Sequence, residues 1–318
     1  MISYISRNRI VAFLTLVALL PVLSLPVHAE TLKFAWPDGA TAKVTTRSQG
    51  RRANKTDGAR NWDMTAEFTM RVQKNGDRIV ISREGYTGWK GTFPPSMAGG
   101  ADRFVDMIPT TIVSTDGTFI GIEGQEIARK RINQALAQSG PLVQTALQSI
   151  TSDASLTVIA TDNWSTLMSL WQEVELDPAA FYELQTVTPV PQLGGGELEI
   201  TGTVRFVKET PCGPGQDERR CVAFHGETAP NKKQMNELLQ SVLKKADPSL
   251  PKITLFDQRF KVDIVLDKQT MLPQQLTITR VHNLELDTPG ANQGFTEEIT
   301  KSYTFAWVLK QEDKKVSP

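Results

Sequence analysis

The stretch Trp62-Asp-Met-Thr-Ala-Glu-Phe-Thr-Met-Arg-Val-Gln73 alternates an apolar residue with a polar one over its whole length. A period of two places all the apolar side chains on one face of an extended chain and all the polar ones on the other. This pattern is typical of an antiparallel strand with one face on a core and the other in water. The stretch therefore predicts a β-rich fold built on a half-buried sheet.

Further strands are predicted on both sides of this stretch, joined by tight turns. Asn75-Gly76 and Asp116-Gly117 are turn sequences that favour short hairpins. Weak alternation over 40–49 predicts a strand, and the polar residues 50–60 predict a solvated loop. In the second half of the chain, alternating runs predict strands over 198–206, 222–224, 260–266, 276–286 and 303–309.

Two parts of the chain have apolar residues at helical spacing instead. Residues 124–172 are predicted to form a helical insertion, with Trp164 and Trp171 on one face of its last helix. A separate amphipathic helix is predicted over 231–246, and we expect it to pack on the face built by the last three strands. Its apolar positions are Met235, Leu238, Leu239, Val242, Leu243 and Ala246.

Residues 1–29 have the features of a signal peptide. Two arginines precede an apolar run over 10–25, and Ala29 ends a small-residue cleavage site. We expect cleavage after Ala29 and a periplasmic or secreted protein. The next residue is Glu30, not Cys, so no lipoprotein is predicted. No later apolar run reaches the ~20 residues that cross a bilayer, so no integral membrane span is predicted either.

The chain has two cysteines, Cys212 and Cys221, which flank a Gly- and Pro-rich turn between two strand-like runs. In an oxidising compartment this arrangement predicts a disulfide that staples a hairpin. A metal or redox pair is disfavoured, because the spacing is not Cys-x-x-Cys and there is no other thiol. Closing so short a loop should add about 2–3 kcal/mol to stability.

Together these elements predict an α+β fold: a large curved antiparallel β-sheet, or half-barrel, with amphipathic helices packed on its concave face. We expect a single β-rich domain over 30–310 and a charged tail over 311–318. In the order of its elements and in its predicted signal peptide, the chain resembles periplasmic lipoprotein-carrier and lipid-binding proteins, which have a half-barrel (β-clasp) fold. The Asp116-Gly117 hairpin, the segment 164–171 and the stapled hairpin are also similar to uncharacterised exported β-rich proteins of Gram-negative bacteria. This resemblance implies a fold and no activity.

Composition and motifs exclude several classes of function. Lysine and arginine total 35 against 35 acidic residues, so nothing indicates binding to nucleic acid. The sequence has no nucleophile elbow, zinc-binding helix, phosphate loop or dinucleotide fingerprint. No enzyme, cofactor or metal site is therefore predicted. Acidic pairs such as Glu297-Glu298 are interpreted as solvated faces, because proximity in sequence does not set the separation that carboxylate catalysis needs.

Four residues are candidates for ligand binding: Tyr86, Trp89, Arg280 and His282. Trp89 lies outside any periodic run, in a stretch with Gly and Tyr, and is the best candidate for an exposed aromatic residue. Arg280 and His282 share the apolar face of the strand over 276–286. There they either hold an anionic headgroup or lie where the strand leaves the core.

The first functional hypothesis is a non-enzymatic periplasmic binding or carrier protein for a hydrophobic small molecule or lipid-like ligand. The alternative is an envelope protein-protein interaction or assembly module, acting through 86–93 or through the charged tip over 217–220. A carboxylate-based hydrolase is the third. A carrier needs a pocket on the order of several hundred Å³, which an interaction module does not.

Overall fold

The computed structural model describes residues 5–6, 30–54, 58–92, 109–136, 151–193, 195–213, 220–246, 249, 251–288 and 291–309. After residue 30 these ranges contain eleven strands, which form one antiparallel sheet. Ile5–Ser6, within the predicted leader, pairs with Leu184 and Glu183 at one edge of that sheet. The predicted charged tail lies outside the described residues.

The strands are β1 (Thr41–Asn54), β2 (Gly58–Asn75), β3 (Arg78–Thr92), β4 (Thr110–Ser114), β5 (Phe119–Glu123), β6 (Tyr182–Pro189), β7 (Glu197–Thr210), β8 (Cys221–Pro230), β9 (Lys252–Asp267), β10 (Pro273–Thr288) and β11 (Ala291–Val308). Their order across the sheet is β6-β7-β8-β9-β10-β11-β1-β2-β3-β4-β5. The last strand of the chain therefore pairs with the first, which joins two sequential meanders into one open sheet. This confirms the predicted large antiparallel sheet.

Among the described residues the α-helices are α1 (Gln125–Leu136), α2 (Asp153–Trp164) and α3 (Lys232–Ala246). A π-helical turn, Ser165–Ser169, directly follows α2, and Pro191–Leu193 is a 3-10 helix. The Ser152 hydroxyl accepts a hydrogen bond from the Ser155 backbone N–H and so caps the start of α2. In the described part of the chain, no helix is long and apolar enough to cross a membrane. Residues 137–150 of the predicted insertion are not among those described.

The predicted solvated loop over 50–60 is wrong. β1 continues to Asn54 and β2 begins at Gly58, so most of this stretch is strand. Here Arg52 is paired with Glu297 on β11 and with Arg60 on β2. The hydrogen-bonded ladder thus continues past the apolar part of the sheet, where a strand needs no alternation because it has little core to face.

β3 is also longer than the alternation predicts, because it contains irregularities. Its pairing with β2 shifts register twice, between Thr65 and Glu67 and between Glu67 and Thr69. Gly88 and Gly91 in this part of β3 have positive φ, which glycine adopts without strain. Bulges of this kind interrupt a period of two without ending the strand. Trp89 consequently lies in a strand and not in a loop.

The predicted stapled hairpin is confirmed. Cys212 and Cys221 form a disulfide with their Cα atoms 5.1 Å apart, at the end where β7 and β8 are connected. Cys221 is fully buried and is paired with Thr210 on β7 and Asp267 on β9. The staple is therefore local and lies at the edge of the core.

One face of the sheet, called the core face below, carries the large buried side chains. Directly paired residues share a face, and the paired set Phe206, Phe224, Ile264, Leu276 defines this one on β7 to β10. The same rows continue through Tyr303 on β11, Thr46 on β1 and Ala66 on β2. The opposite side is called the outer face.

A cluster of tryptophans lies against the core face. The Trp164 indole N–H donates to the Gly117 carbonyl at 2.8 Å, in the turn between β4 and β5. The Trp171 ring lies 5.6 Å from the ring of Phe224 on β8. Trp36 contacts Trp164 edge-on with ring centroids 5.5 Å apart. The segment 164–171 therefore packs on β8 and on the turn between β4 and β5.

α3 lies mainly on β9 and also reaches β7 and β8. The Gln240 side-chain oxygen accepts a hydrogen bond from the Ile253 backbone N–H at 2.7 Å, and this fixes the helix at the start of β9. The apolar stripe of α3 is half-buried. The prediction placed this helix on the last three strands together, whereas its main contact is the first of them.

Replacing Trp171 by Ala should lower the free energy of unfolding by about 3–5 kcal/mol, because it removes a fully buried ring from the core. Urea denaturation of the mature protein measures this change. The matched control is Phe181→Ala, since Phe181 is 56% exposed and its removal should cost less than about 1 kcal/mol. Equal losses in the two variants would contradict the central role of Trp171.

Candidate ligand-binding site

The core face has a sealed part and a part that water still reaches. Ile264, Leu276 and Phe305 are buried beside the tryptophan cluster. Further along β9, β10 and β11, several core-face residues beside the buried Val262 are half-exposed, and Lys301 is exposed. We call this the open band, and it consists of Phe260, Ile278, Arg280, Ile299, Lys301 and Tyr303. Apolar side chains and cations thus alternate on one continuous surface.

Charges are segregated between the two faces of the central strands. The core face carries the cations Arg52, Arg60, Arg280 and Lys301. Five rows of paired residues cross β9, β10, β11, β1 and β2 on this face, from the row of Phe256 and Leu284 to the row of Ile264 and Leu276. These rows contain one carboxylate, Glu297. Carboxylates that neighbour these residues in sequence, such as Asp63 and Glu298, belong to the outer face. The core face is therefore positive in a chain whose total charge is balanced.

Glu297 already has a partner on the core face. Its carboxylate lies 2.7 Å from His282 Nε2, and the two side chains are only 14% and 12% exposed. The Phe295 ring contacts the His282 ring edge-on at 5.6 Å, and the Arg52 guanidinium lies 3.7 Å from the centroid of the same Phe295 ring. These contacts form because His282, Glu297 and Arg52 occupy one paired row.

Burial lowers the pKa of His282 below its ordinary value, because the surrounding protein disfavours the charged ring. Glu297 opposes this shift, while Arg280 and Arg52 add to it. The outcome is a histidine that stays neutral at pH 7. His282 thus adds no charge to the open band under neutral conditions.

Arg280 and Lys301 are neighbours on the core face. Lys301 is paired with Ile278, and Arg280 with Ile299, so the two cations are diagonal across β10 and β11. The Lys301 side chain is exposed to water yet is surrounded by protein, and burial together with Arg280 lowers its pKa.

Tyr86 and Trp89 reach the same surface from β3. Their rings are stacked with centroids 5.6 Å apart, and Tyr86 contacts Phe68 at 4.8 Å. Burial, with Tyr86 adding to it, raises the pKa of Tyr303 to about 12, so its hydroxyl stays protonated. Trp89 is half-buried, so the expectation of an exposed aromatic residue is wrong.

The four predicted residues thus form two pairs, Tyr86 with Trp89 and Arg280 with His282. Tyr303 and Lys301 relate the two pairs, since Tyr86 adds to the raised pKa of Tyr303 and Arg280 adds to the lowered pKa of Lys301. The sequence analysis missed Lys301, although a signal was present. The alternation of 303–309 continues in phase to Lys301, which therefore had to lie on the core face.

The outer face also carries polar features. A groove of about 530 Å³ is lined by residues that include Arg51, Asp63 and Glu298. His225 contacts Asp263 at 2.7 Å and Glu227 at 3.2 Å. Cys212, Cys221 and Asp267 lie close together, but both sulfur atoms are in the disulfide and are not free to bind a metal.

Asp162 near the end of α2 is a further perturbed group. Its side chain is exposed to water but is ringed by protein, and this burial raises its pKa to about 6. No cation contributes to the shift. The ionised carboxylate therefore costs the folded state free energy at neutral pH.

Comparisons with known proteins give no family. No family model matches the chain, and no curated protein matches it. Among solved structures, a lipovitellin structure titled for its lipid-protein interactions has 9% sequence identity and a TM-score of 0.43, covering 88% of this chain and 26% of that one. This chain thus spans about a quarter of the lipovitellin chain.

Two other solved structures show weaker likeness. DynF from the dynemicin biosynthesis pathway of Micromonospora chersina has 8% identity and a TM-score of 0.20, covering 94% of this chain and 95% of that one. Pseudomonas aeruginosa OpdQ has 9% identity and a TM-score of 0.18, covering 85% and 98%. At these scores none of the three likenesses carries an argument about this protein.

Lowering the pH should destabilise the protein in part through His282. Its folded pKa is below its unfolded value, so its contribution to stability is complete above the unfolded pKa of about 6.5 and is lost as pH falls through the folded pKa. An NMR titration of the ring should therefore give a midpoint below about 6.5. Glu297→Gln should lower that midpoint further, and Arg280→Met should raise it. A midpoint unmoved by both substitutions would contradict this electrostatic account.

Replacing Asp162 by Asn should stabilise the protein at pH 7.5 and not at pH 4. At pH 7.5 the variant removes a charge whose burial is unfavourable, and we expect a gain of about 1 kcal/mol after discounting for its exposed side chain. At pH 4 the folded wild-type carboxyl is already protonated. Urea denaturation at the two pH values measures this, with Asp153→Asn as control. That variant should lose stability, because Asp153 pairs with Arg129 at 2.5 Å.

Proposed function

We propose that this chain is an exported, non-enzymatic binding or carrier protein for a hydrophobic or lipid-like ligand. In this proposal the mature protein is a single periplasmic domain. Its sheet forms a half-barrel, and the ligand lies along the open band on the concave side. Tyr86, Trp89, Arg280 and His282 line the ligand site.

Contacts of the tryptophan segment support the curvature. Gly117 follows β4 and Phe224 lies in β8, and these strands are seven positions apart in the sheet. In a flat sheet seven steps would span roughly 34 Å. Trp164 and Trp171, which contact Gly117 and Phe224, are separated by about 10 Å of helix. A sheet that curls around the segment brings both contacts within reach.

The observation that carries the proposal is the half-exposed apolar surface of the open band. Phe260, Ile278 and Ile299 lie in adjacent strands on the core face, next to its sealed part, and remain partly open to water. An apolar chain laid along them would continue the hydrophobic core and remove this area from water. An amphiphile also matches the polar groups that interrupt the surface.

Protein purified from the periplasm in its native state should carry lipid, detected by mass spectrometry of an organic-solvent extract. Ile299→Gln should reduce the retained lipid about tenfold, because an amide in an apolar contact costs about 1–3 kcal/mol. The control is Thr300→Gln, the next residue along β11, which faces outward. Wild-type protein free of lipid that also binds no added amphiphile would refute the proposal.

A further inference from the structure

Two cations of the open band have no counterion among the described residues. Within the described ranges, neither the Arg280 guanidinium nor the Lys301 ammonium makes an ion pair or a side-chain hydrogen bond. Some cations of the outer face are paired, for example Lys43 with Glu67 at 2.9 Å and Lys261 with Glu227 at 3.1 Å.

Holding two like charges together in this environment is unfavourable. Arg280 and Lys301 are diagonal neighbours across the β10 and β11 pair, and each lies beside apolar residues of the open band. Burial and the neighbouring Arg280 both oppose the charge of Lys301 and lower its pKa. A partner of opposite charge would relieve both costs.

Among the described residues, no carboxylate forms an ion pair with Arg280 or Lys301. Glu297, the carboxylate of these core-face rows, lies 2.7 Å from His282 Nε2 and not within ion-pair distance of either cation. Glu298 is adjacent in sequence, but the alternation of β11 directs it to the outer face, where it is paired with Arg51 in register. The chain thus contains enough carboxylates for neutrality, and the sheet keeps them away from Arg280 and Lys301.

We propose that Arg280 and Lys301 bind the oxyanion headgroup of an acyl-chain amphiphile whose chain lies along the open band. This inference rests on the proposed function and adds the charge and position of the headgroup. The ligand class is a single-chain lipid that ends in a carboxylate or phosphate.

The side chains suit this role in complementary ways. A guanidinium can donate two parallel hydrogen bonds to one oxyanion, and an ammonium adds a point charge from a flexible stem. The Tyr303 hydroxyl, protonated because its pKa is about 12, is a further donor next along β11. Ile278 and Ile299 are paired with the two cations, so an acyl chain would leave the headgroup directly onto apolar surface.

Binding of two ligands with the same chain tests the inference. Oleate carries the anion, and oleyl alcohol has a neutral head; inorganic phosphate is an anion without a chain. Dissociation constants would be measured by calorimetry with delipidated mature protein. We expect wild type to bind oleate at least about tenfold more tightly than oleyl alcohol, and phosphate far more weakly than either.

The variants are Lys301→Met and Arg280→Met, which keep an apolar stem and remove the charge. Each should weaken oleate binding about tenfold and leave oleyl alcohol binding within about twofold of wild type. Arg51→Met is the matched control, because it removes a cation from the outer face of β1 and should change neither constant. Thermal unfolding checks that every variant is folded.

The possible results test the headgroup site and the carrier proposal separately. Equal binding of oleate and oleyl alcohol, unchanged in both variants, would overturn the headgroup site and leave the carrier proposal standing. Failure of wild type to bind either ligand would overturn the carrier proposal itself. Phosphate binding as tight as oleate binding would show a site for free anions and would overturn the inferred lipid headgroup.

Discussion

β11 pairs with β1 along nearly the whole length of both strands, from Val308 beside Thr41 to Phe295 beside Asn54. Without this ladder the two halves of the chain would be separate meanders, one ending at β5 and the other beginning at β6. With it, the apolar faces of both halves become one continuous core face. The tryptophan cluster, the His282 and Glu297 pair with Arg52, and the open band all depend on that continuity.

The same continuity explains the uneven quality of packing along the core face. Near the tryptophan cluster the side chains from both halves are large and apolar, and they bury one another. Toward the far end the rows contain charged residues, and only part of the charge is balanced. Glu297 lies against His282, whereas Lys301 lies beside Arg280 in a protein environment that disfavours its charge. In the proposed function, this local cost is a consequence of keeping a surface ready for a ligand.

Alternation was a reliable guide only where the strands face the core. The stretch 62–73 lies wholly within β2 and its apolar residues face the core as predicted. At 50–60 both faces of the strands approach water, so the polar sequence resembled a loop. Around Trp89 the two register shifts break the period, which is why that residue lies outside any periodic run of the sequence. The alternation of apolar and polar residues reports which face of a strand is buried. It therefore gives no signal where a strand is stabilised by hydrogen bonds to its neighbours and buries neither face.

From the amino-acid order one could derive the β-rich class, the disulfide of Cys212 and Cys221, and the shared face of Arg280 and His282 within one strand. Each of these is a local property, set by a period of two or by a short loop. Which strands are neighbours, and in which register, depends on contacts between residues distant in sequence. Only the tertiary structure could therefore place Lys301 beside Arg280, bring Arg52 to Glu297, and show that a neutral chain presents a positive core face.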